Sequence, residues 1–173
     1  VARQWMRLGS EPAAVTDSAT YMPPDLIVEL VCMGLALASL VLLKRRAVRW
    51  ALADNVAVAR VAIARETPDI VVGYSWGGGV AAALVGDGYW GGPTLRIAPA
   101  SGLIWSHAGE APPSLRKGTI LPTATVITVH GDADEVVPIR TVQTLHSGAD
   151  PSVCRLVVVP GGDHFLDDTV TST

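Results

Sequence analysis

Apolar and polar positions along this chain alternate in blocks that predict strands and helices in turn. A β-branched run at Asp69–Val72 indicates a buried strand, and the alanine-rich run Val80–Val85 indicates a packed helix behind it. Further apolar runs of strand or short-helix length follow; the predicted strands are Thr94–Ala100, Ala124–Val129 and Arg155–Val159, and the predicted helix is Ile139–Leu145. Strands that alternate with helices predict an α/β fold with a mostly parallel sheet and helices on both faces.

The stretches between these runs are assigned from their periodicity and their helix-breaking residues. Apolar residues recur at three-to-four spacing over Ala47–Glu66, which predicts an amphipathic helix that ends at Thr67-Pro68. The proline- and glycine-rich stretch Ser101–Gly118 is predicted to be a loop, and a weak strand is expected over Val15–Met22.

The apolar segment, Leu26–Leu43, has two interpretations. It has about the length that a membrane helix needs, and Lys44-Arg45-Arg46 follows it as a cytoplasmic flank would. Glu29 argues against a membrane span, because an ionisable group in lipid is costly. We therefore favour a segment buried in the protein, with a strand at Leu26–Cys32, a break at Gly34 and then a helix; a membrane-anchored protein is the alternative.

Composition narrows the class of protein. A length of 173 residues fits one domain, and 49% hydrophobic against 17% charged residues excludes disorder. The net charge of −3 provides no basic surface for nucleic acid. Cys32 and Cys154 lack the spacing of metal ligands, so we predict buried thiols in a reducing, cytoplasmic setting and no metal.

The strand at Asp69–Val72 runs into Gly73-Tyr74-Ser75-Trp76-Gly77, a Gly-x-Ser-x-Gly pattern between strand and helix. A serine at such a sharp turn presents its hydroxyl at the carboxyl edge of the sheet. Gly73 and Gly77 are expected to be needed because a Cβ at either position would crowd the turn. The amide of Trp76, at the start of the helix, would point at an oxyanion formed there.

Two further polar residues follow predicted strands, and with Ser75 they compose a nucleophilic triad. Asp134 lies in the loop after Ala124–Val129, and His164 lies in the loop after the last strand. A serine hydroxyl needs a base to accept its proton, and a histidine held by a carboxylate serves as that base. The chain order Ser, Asp, His, each just past a strand, strengthens the assignment.

These residues lie in three motifs that together resemble the α/β-hydrolase fold family over about residues 69–165. The motifs are Gly73-Tyr74-Ser75-Trp76-Gly77-Gly78, His130-Gly131-x-x-Asp134-x-x-Val137-Pro138 and Gly162-Asp163-His164-Phe165. The resemblance implies a single α/β-hydrolase-like three-layer sandwich over residues 1–173, small or incomplete at its N-terminal side and without a large cap domain. Within that family the chain looks most like the small serine esterases and dienelactone hydrolase-like enzymes.

The resemblance also implies a function. Ser75 would be the nucleophile, His164 the base, Asp134 the acid and the Trp76 amide an oxyanion donor, in a serine hydrolase that cleaves a small carboxylic ester or thioester through an acyl-enzyme. No cofactor is implied. Tyr74 and Trp105 are expected to contact the substrate.

Several alternatives stay open at this stage. Asp132 is a second candidate for the acid, whereas Asp163 is expected to bond within its loop and His130 to be structural. The family's second oxyanion amide commonly comes from a His-Gly stretch upstream of the serine, and none precedes Ser75. If Val15–Leu26 corresponds to the family's fourth strand, the third strand and its loop are absent from this chain. If Leu26–Cys32 is instead the third strand, the amides near Met33-Gly34 would have to serve. The rival to the enzyme is therefore a non-catalytic binding or scaffold protein with the same fold.

Overall fold

A computed structural model describes residues 23–113, 115 and 121–166 of this chain. The chain divides into two units between Ser39 and Leu40, and each unit is considered by itself. The described part of the first unit is residues 23–39, and residues 24–39 are the start of one long helix. The second unit holds the sheet and the remaining helices. The strand predicted at Val15–Met22 lies outside the described residues.

Helix α1 runs without interruption over Pro24–Glu66, 43 residues in all. The prediction of a strand at Leu26–Cys32 with a break at Gly34 is therefore wrong. A glycine inside a helix costs only about 1 kcal/mol relative to alanine, which leucine-rich neighbours can absorb. The Ser39 hydroxyl donates to the carbonyl oxygen of Leu35 at 2.8 Å, so its polar group is satisfied within the helix. The helix predicted over Ala47–Glu66 is confirmed as the second part of α1.

The apolar segment is exposed along its whole length, so the prediction that it is buried is also wrong. Within α1, Leu52 is the buried residue. A strand would bury one side of its residues by alternation, but a helix with apolar residues on every side has no single face to pack. The apolar run alone could not distinguish these outcomes.

The second unit is built on four parallel strands. They are β1 Val71–Tyr74, β2 Pro93–Ile97, β3 Thr125–Gly131 and β4 Cys154–Val159. Among the described residues they pair in the order β1-β2-β3-β4, with Gly73 opposite Arg96 and Arg96 opposite Thr128. The α/β class and the parallel sheet predicted from the sequence are confirmed.

Helices follow three of the strands. They are α2 Trp76–Gly86, α3 Ser101–Ala108 and α4 Ile139–His146. Helices α2 and α4 match the prediction, whereas α3 occupies the first half of the stretch predicted to be a loop. Gly109 ends α3 at a positive φ of 70°, and the N–H of Glu110 donates to the Trp105 carbonyl at 3.0 Å. The proline and glycine residues that follow this helix favoured the prediction of a loop. Ile104 and Ala108, four residues apart, form the buried side of the helix.

The core of the second unit lies where the second part of α1 meets α2 and α3. Leu52 is buried with Val80, Leu84 and Ile104, and partly buried residues from the predicted stripe of α1 pack around them; these are Val48, Val56, Ala59 and Ile63. Along β3, alternate side chains are buried and accessible, so one face of the sheet carries the packing. This arrangement fixes α2 against β1, and with it the position of Ser75.

A polar cluster is buried between the sheet and α4. The Arg96 guanidinium donates to the Thr128 hydroxyl at 2.7 Å and to Nε2 of His146 at 3.0 Å. Burial lowers the pKa of Arg96 to about 10, so it remains charged at neutral pH. Burial and, second, the Arg96 charge lower the pKa of His146 to about 4. His146 is thus neutral in the folded protein, because a guanidinium can only donate and the imidazole nitrogen must accept.

This cluster predicts a pH dependence of stability. The folded pKa of His146 lies below its ordinary value of 6.5, so the unfolded chain binds the extra proton first. The free energy of unfolding should therefore fall as the pH drops from about 6.5 towards 4. Chemical denaturation at pH 7 and pH 4.5 should show a smaller loss in His146→Gln than in the wild type. The matched control is His107→Gln, at an exposed histidine of α3, which should behave as the wild type. Equal losses in all three proteins would contradict the assignment.

Candidate active site

Ser75 lies on a strained turn between the last residue of β1 and the first residue of α2. Its φ of 49° and ψ of −113° lie outside the usual regions for a residue with a side chain. Such a conformation costs on the order of 1–3 kcal/mol and persists only where neighbours impose it. Here the Ser75 N–H donates to the Ile97 carbonyl, and the Ser75 carbonyl accepts from the N–H of Ala100, both at 2.9 Å. The end of β2 and the loop after it therefore hold the serine in place.

Two glycines permit this turn, and one of them differs from the prediction. A Cβ on Gly73 would overlap the backbone carbonyl of Gly77, as the sequence suggested. Gly77 itself has open space around the position of a Cβ, so the prediction for Gly77 is wrong. The second crowded position is Gly78, where a Cβ would lie 2.6 Å from Cβ of Pro99. Pro99 lies in the loop after β2, so the sequence around Gly78 gives no sign of this contact.

The glycine geometry predicts opposite effects of two neighbouring alanine substitutions. Gly73→Ala should destabilise the protein by about 3 kcal/mol, because backbone atoms of α2 must move to admit the methyl group. Gly77→Ala should leave stability unchanged or raise it by up to about 1 kcal/mol, because alanine favours the helix and meets no neighbour. Urea unfolding of both variants under identical conditions measures the difference. A Gly77→Ala loss equal to that of Gly73→Ala would show that the turn is packed differently.

The three predicted triad residues lie in one hydrogen-bonded chain. Nε2 of His164 is 3.1 Å from Oγ of Ser75, and Nδ1 of His164 is 2.8 Å from Oδ2 of Asp134. A carboxylate oxygen accepts, so Nδ1 carries the proton and Nε2 is left to accept from the serine hydroxyl. Asp134 and His164 are both buried, at 5% and 7% exposure, which strengthens the interaction between them.

Asp134 is also the carboxylate that the surrounding backbone stabilises. Its Oδ1 accepts the N–H groups of Val136 and Val137 at 2.9 and 2.7 Å. The rival acid, Asp132, does not contact His164; its Oδ1 accepts the N–H of Gly161 at 2.6 Å and ties the two loops together. The geometry therefore brings Asp134, and not Asp132, to the histidine.

The other two polar candidates of these loops have local partners, as expected. Oδ1 of Asp163 accepts the N–H groups of Phe165 and Leu166, which shapes the turn around His164. His130 is fully buried in β3, and its Nε2 donates to the Val137 carbonyl at 2.8 Å. The same nitrogen lies 3.5 Å from Oδ2 of Asp134. His130 thus links the end of β3 to the loop that carries Asp134.

The two residues predicted to contact substrate lie in different places. Tyr74 adjoins the triad, where its hydroxyl donates to the His164 carbonyl at 3.2 Å and its ring centroid lies 5.3 Å from the imidazole. Trp105 is not brought to the triad. It is buried in the core beside Leu52 and Ile104, so the structure gives it a packing role in place of the predicted one.

A cleft of about 270 Å³ lies beside His164. It is lined by Ala133, Glu135, Val136, Asp163, His164 and Phe165. Val136 and Phe165 are exposed apolar side chains, and the Phe165 ring meets the imidazole edge-on at a centroid distance of 5.7 Å. Neither residue was assigned a role from the sequence. The sequence feature that could have indicated their role is their position close to Asp134 and His164 within the two loop motifs.

One of the expected oxyanion donors is placed suitably and the other is not. Trp76 is the first residue of α2, so its N–H has no carbonyl partner within that helix. Met33 and Gly34 lie inside α1, where helical hydrogen bonds occupy their N–H groups. The expectation that amides near Met33-Gly34 supply a second donor is therefore wrong.

The placement of the triad on the sheet decides the fold. Each member follows the carboxyl end of a parallel strand, the serine lies on a strained strand-to-helix turn, and the chain order is Ser, Asp, His. Other serine triads with the same geometry use different orders. The chain has an α/β-hydrolase fold. Its sheet, as far as the described residues show it, ends at β1, the strand that leads into Ser75.

Several solved structures are similar to parts of the chain. An alpha-beta serine hydrolase homologue from Coxiella burnetii is 23% identical with a TM-score of 0.45, over 63% of this chain and 48% of that one. An esterase domain from Rhodothermus marinus is 14% identical with a TM-score of 0.48, over 66% and 60%. A monoacylglycerol lipase from Paleococcus ferrophilus is 11% identical with a TM-score of 0.48, over 65% and 66%.

These similarities are partial. The chain spans about half to two thirds of the length of the structures named above. No protein-family model matches the sequence, and no curated protein matches it.

Proposed function

We propose that this protein is a serine hydrolase that cleaves a small carboxylic ester or thioester through an acyl-enzyme. The observation that carries the proposal is the unbroken chain of hydrogen bonds from Asp134 through His164 to Ser75. The Ser75 hydroxyl, at 3.1 Å from Nε2 of His164, is within reach of proton transfer to that nitrogen. No metal or organic cofactor is needed for this chemistry.

The reaction follows from the positions of the three side chains. The Ser75 oxygen attacks the substrate carbonyl as Nε2 of His164 takes the hydroxyl proton, and a tetrahedral oxyanion forms. The oxyanion collapses, the bond to the leaving alcohol or thiol breaks, and His164 returns its proton to that group. Water then attacks the acyl-enzyme by the same route and releases the acid and free Ser75. Asp134 orients His164 and stabilises its imidazolium in both halves.

The cleft beside His164 favours a small and uncharged acyl group. Val136 and Phe165 supply apolar surface, whereas the carboxylates of Glu135 and Asp163 at the same cleft would repel an anionic substrate. A volume of about 270 Å³ lies just below the usual range of ligand clefts, which begins at about 300 Å³. We therefore propose short-chain neutral esters or thioesters as substrates.

The second candidate function is a non-catalytic protein that keeps this fold. It is favoured by one observation, the helical engagement of the Met33 and Gly34 amides, which leaves the Trp76 amide as the one assigned oxyanion donor. Loss of one donor costs on the order of 10²–10³ in rate. Such a loss weakens an enzyme without abolishing its acyl-enzyme, so the hydrolase remains our proposal.

Hydrolysis of nitrophenyl esters of increasing acyl chain length tests the proposal. We expect turnover that is highest for short acyl chains and falls as the chain outgrows the cleft. Parallel assays with the corresponding nitrophenyl thioesters compare the two leaving groups. Turnover no faster than that of the Ser75→Ala variant on every substrate would favour the non-catalytic protein.

A further inference from the structure

The largest feature that the hydrolase proposal leaves unused is the apolar segment, Leu26–Leu43. An 18-residue window of α1 reaches a mean hydropathy of 2.6, and none of that window is buried. Twelve large apolar side chains of this segment are exposed; they are Leu26, Ile27, Val28, Leu30, Val31, Met33, Leu35, Leu37, Leu40, Val41, Leu42 and Leu43. Such an apolar surface is far larger than water-facing helices tolerate, so some partner covers it.

The distribution of these side chains identifies the kind of partner. Successive residues of a helix turn by about 100°, so the four consecutive residues Leu40–Leu43 alone point to all sides. A protein groove or a second helix would need one apolar stripe and would leave polar residues on the other side. An environment that is apolar all round the helix axis is the hydrocarbon of a lipid bilayer.

The length of the segment fits the same environment. At about 1.5 Å per residue, 18 residues rise roughly 27 Å, close to the hydrocarbon thickness of about 30 Å. The helix is continuous over this length, so its backbone N–H and C=O groups are satisfied internally.

The polar residues of the segment are compatible with lipid. The Ser39 hydroxyl donates to the Leu35 carbonyl and needs no water. Glu29 lies about one turn from the start of the segment, within roughly 6 Å of its end, where a carboxylate can reach the headgroup region. In a membrane span Glu29 would therefore lie near the lipid headgroups. The main argument against a span, a carboxylate deep in lipid, does not apply to it.

The flanks of the segment indicate its orientation. Lys44, Arg45 and Arg46 follow it directly, whereas the acidic residues Asp25 and Glu29 lie at its other end. Positive residues next to a span favour the cytoplasmic side. Trp50 lies just beyond the cations and is 71% exposed, as tryptophan at a membrane–water interface is.

We propose that Leu26–Leu43 spans a lipid bilayer and that the part of the chain after Lys44–Arg46, which carries the sheet, is held on the cytoplasmic side. This inference is independent of the hydrolase proposal, because it uses no residue of the triad. It keeps the cytoplasmic setting expected for the catalytic unit and makes the protein membrane-anchored.

Vesicle flotation of the full chain tests the anchor. The protein, purified in mild detergent, is mixed with phosphatidylcholine vesicles, the detergent is removed, and the vesicles are floated through a density gradient after a wash with alkaline carbonate. The wild type should float. Leu35→Asp combined with Leu40→Asp should remain at the bottom, because two charges at the centre of the span oppose insertion. The matched control is Val58→Asp with Val61→Asp, on α1 outside the segment at similar exposure, which should float.

Three results would overturn the anchor. The first is a wild type that stays monodisperse and unbound without detergent. The second is a detergent-free oligomer that becomes monomeric in the Leu35→Asp, Leu40→Asp variant, which would make a second copy the partner. The third is flotation of that variant with the wild type, which would place vesicle binding elsewhere.

Cys32 provides a readout of depth in the same vesicles. It is an exposed thiol inside the segment, whereas Cys154 is buried in the second unit. In the Cys154→Ala background, a membrane-impermeant maleimide should leave Cys32 unlabelled in intact vesicles and label it after dissolution in sodium dodecyl sulfate. Full labelling in intact vesicles would show that the segment lies in water and would overturn the span.

Discussion

Ser75→Ala and His164→Ala should each lower kcat/KM for a nitrophenyl ester by about 10⁴-fold or more, and the double variant should be little worse than either one. The reason is that the hydroxyl and the imidazole perform one proton transfer across the 3.1 Å between Oγ and Nε2. Once either group is removed, the other has nothing to act on. Steady-state kinetics of the two single variants and the double variant measure this coupling.

A matched pair controls for the substitutions themselves. Ser106 and His107 are an exposed serine and histidine on α3, so Ser106→Ala with His107→Ala should leave kcat/KM unchanged. If the Ser75 and His164 losses multiplied in the double variant, the two residues would not act as one unit and the triad assignment would fail.

The second large effect is expected at the acid. Asp134→Asn should lower kcat by about 10⁴-fold, because the amide nitrogen would face Nδ1 of His164 and favour the wrong imidazole tautomer. The asparagine oxygen can still accept the N–H groups of Val136 and Val137, so the loop should keep its shape. The loss should appear in kcat with little change in the free energy of unfolding.

Asp132→Asn is the comparison for this effect. The Asp132 side chain accepts the N–H of Gly161, and an asparagine oxygen can do the same, so activity should change little. The opposite ranking, with Asp132→Asn the more damaging substitution, would move the acid to Asp132.

The triad could be predicted from the sequence because its information is local. Ser75, Asp134 and His164 each stand just after a β-branched run, and parallel strands bring their carboxyl ends to one edge of a sheet. The strands and the helices α2 and α4 were predictable for the same reason, since each has a periodic pattern bounded by breaker residues.

What failed depended on contacts between distant parts of the chain. The crowding at Gly78 comes from Pro99, and the buried position of Trp105 comes from the packing of α3 against α1. Neither contact produces a pattern in the residues that neighbour it in the sequence. The choice of Asp134 over Asp132 came from the spacing of the motif, and Asp134 is the one whose carboxylate accepts from His164.

The apolar segment failed for a different reason. A run without polar positions has no period, so it is compatible with a buried strand, a core helix or a membrane helix. The prediction places a break at Gly34, but a single glycine does not end a helix whose other residues favour it. Exposure on every side, which no sequence pattern states, is what points to lipid.

Covalent labelling with a fluorophosphonate probe, followed by mass mapping of the modified peptide, tests the central claim most directly. The probe requires a serine activated by a base and an oxyanion site, and it bonds to the serine oxygen as fluoride leaves. We predict one adduct per chain, on Ser75, that is absent in Ser75→Ala, strongly slowed in His164→Ala and unaffected in Ser106→Ala. An absence of labelling in the folded wild type, or an adduct that persists in Ser75→Ala, would contradict the assignment of Ser75 as a catalytic nucleophile.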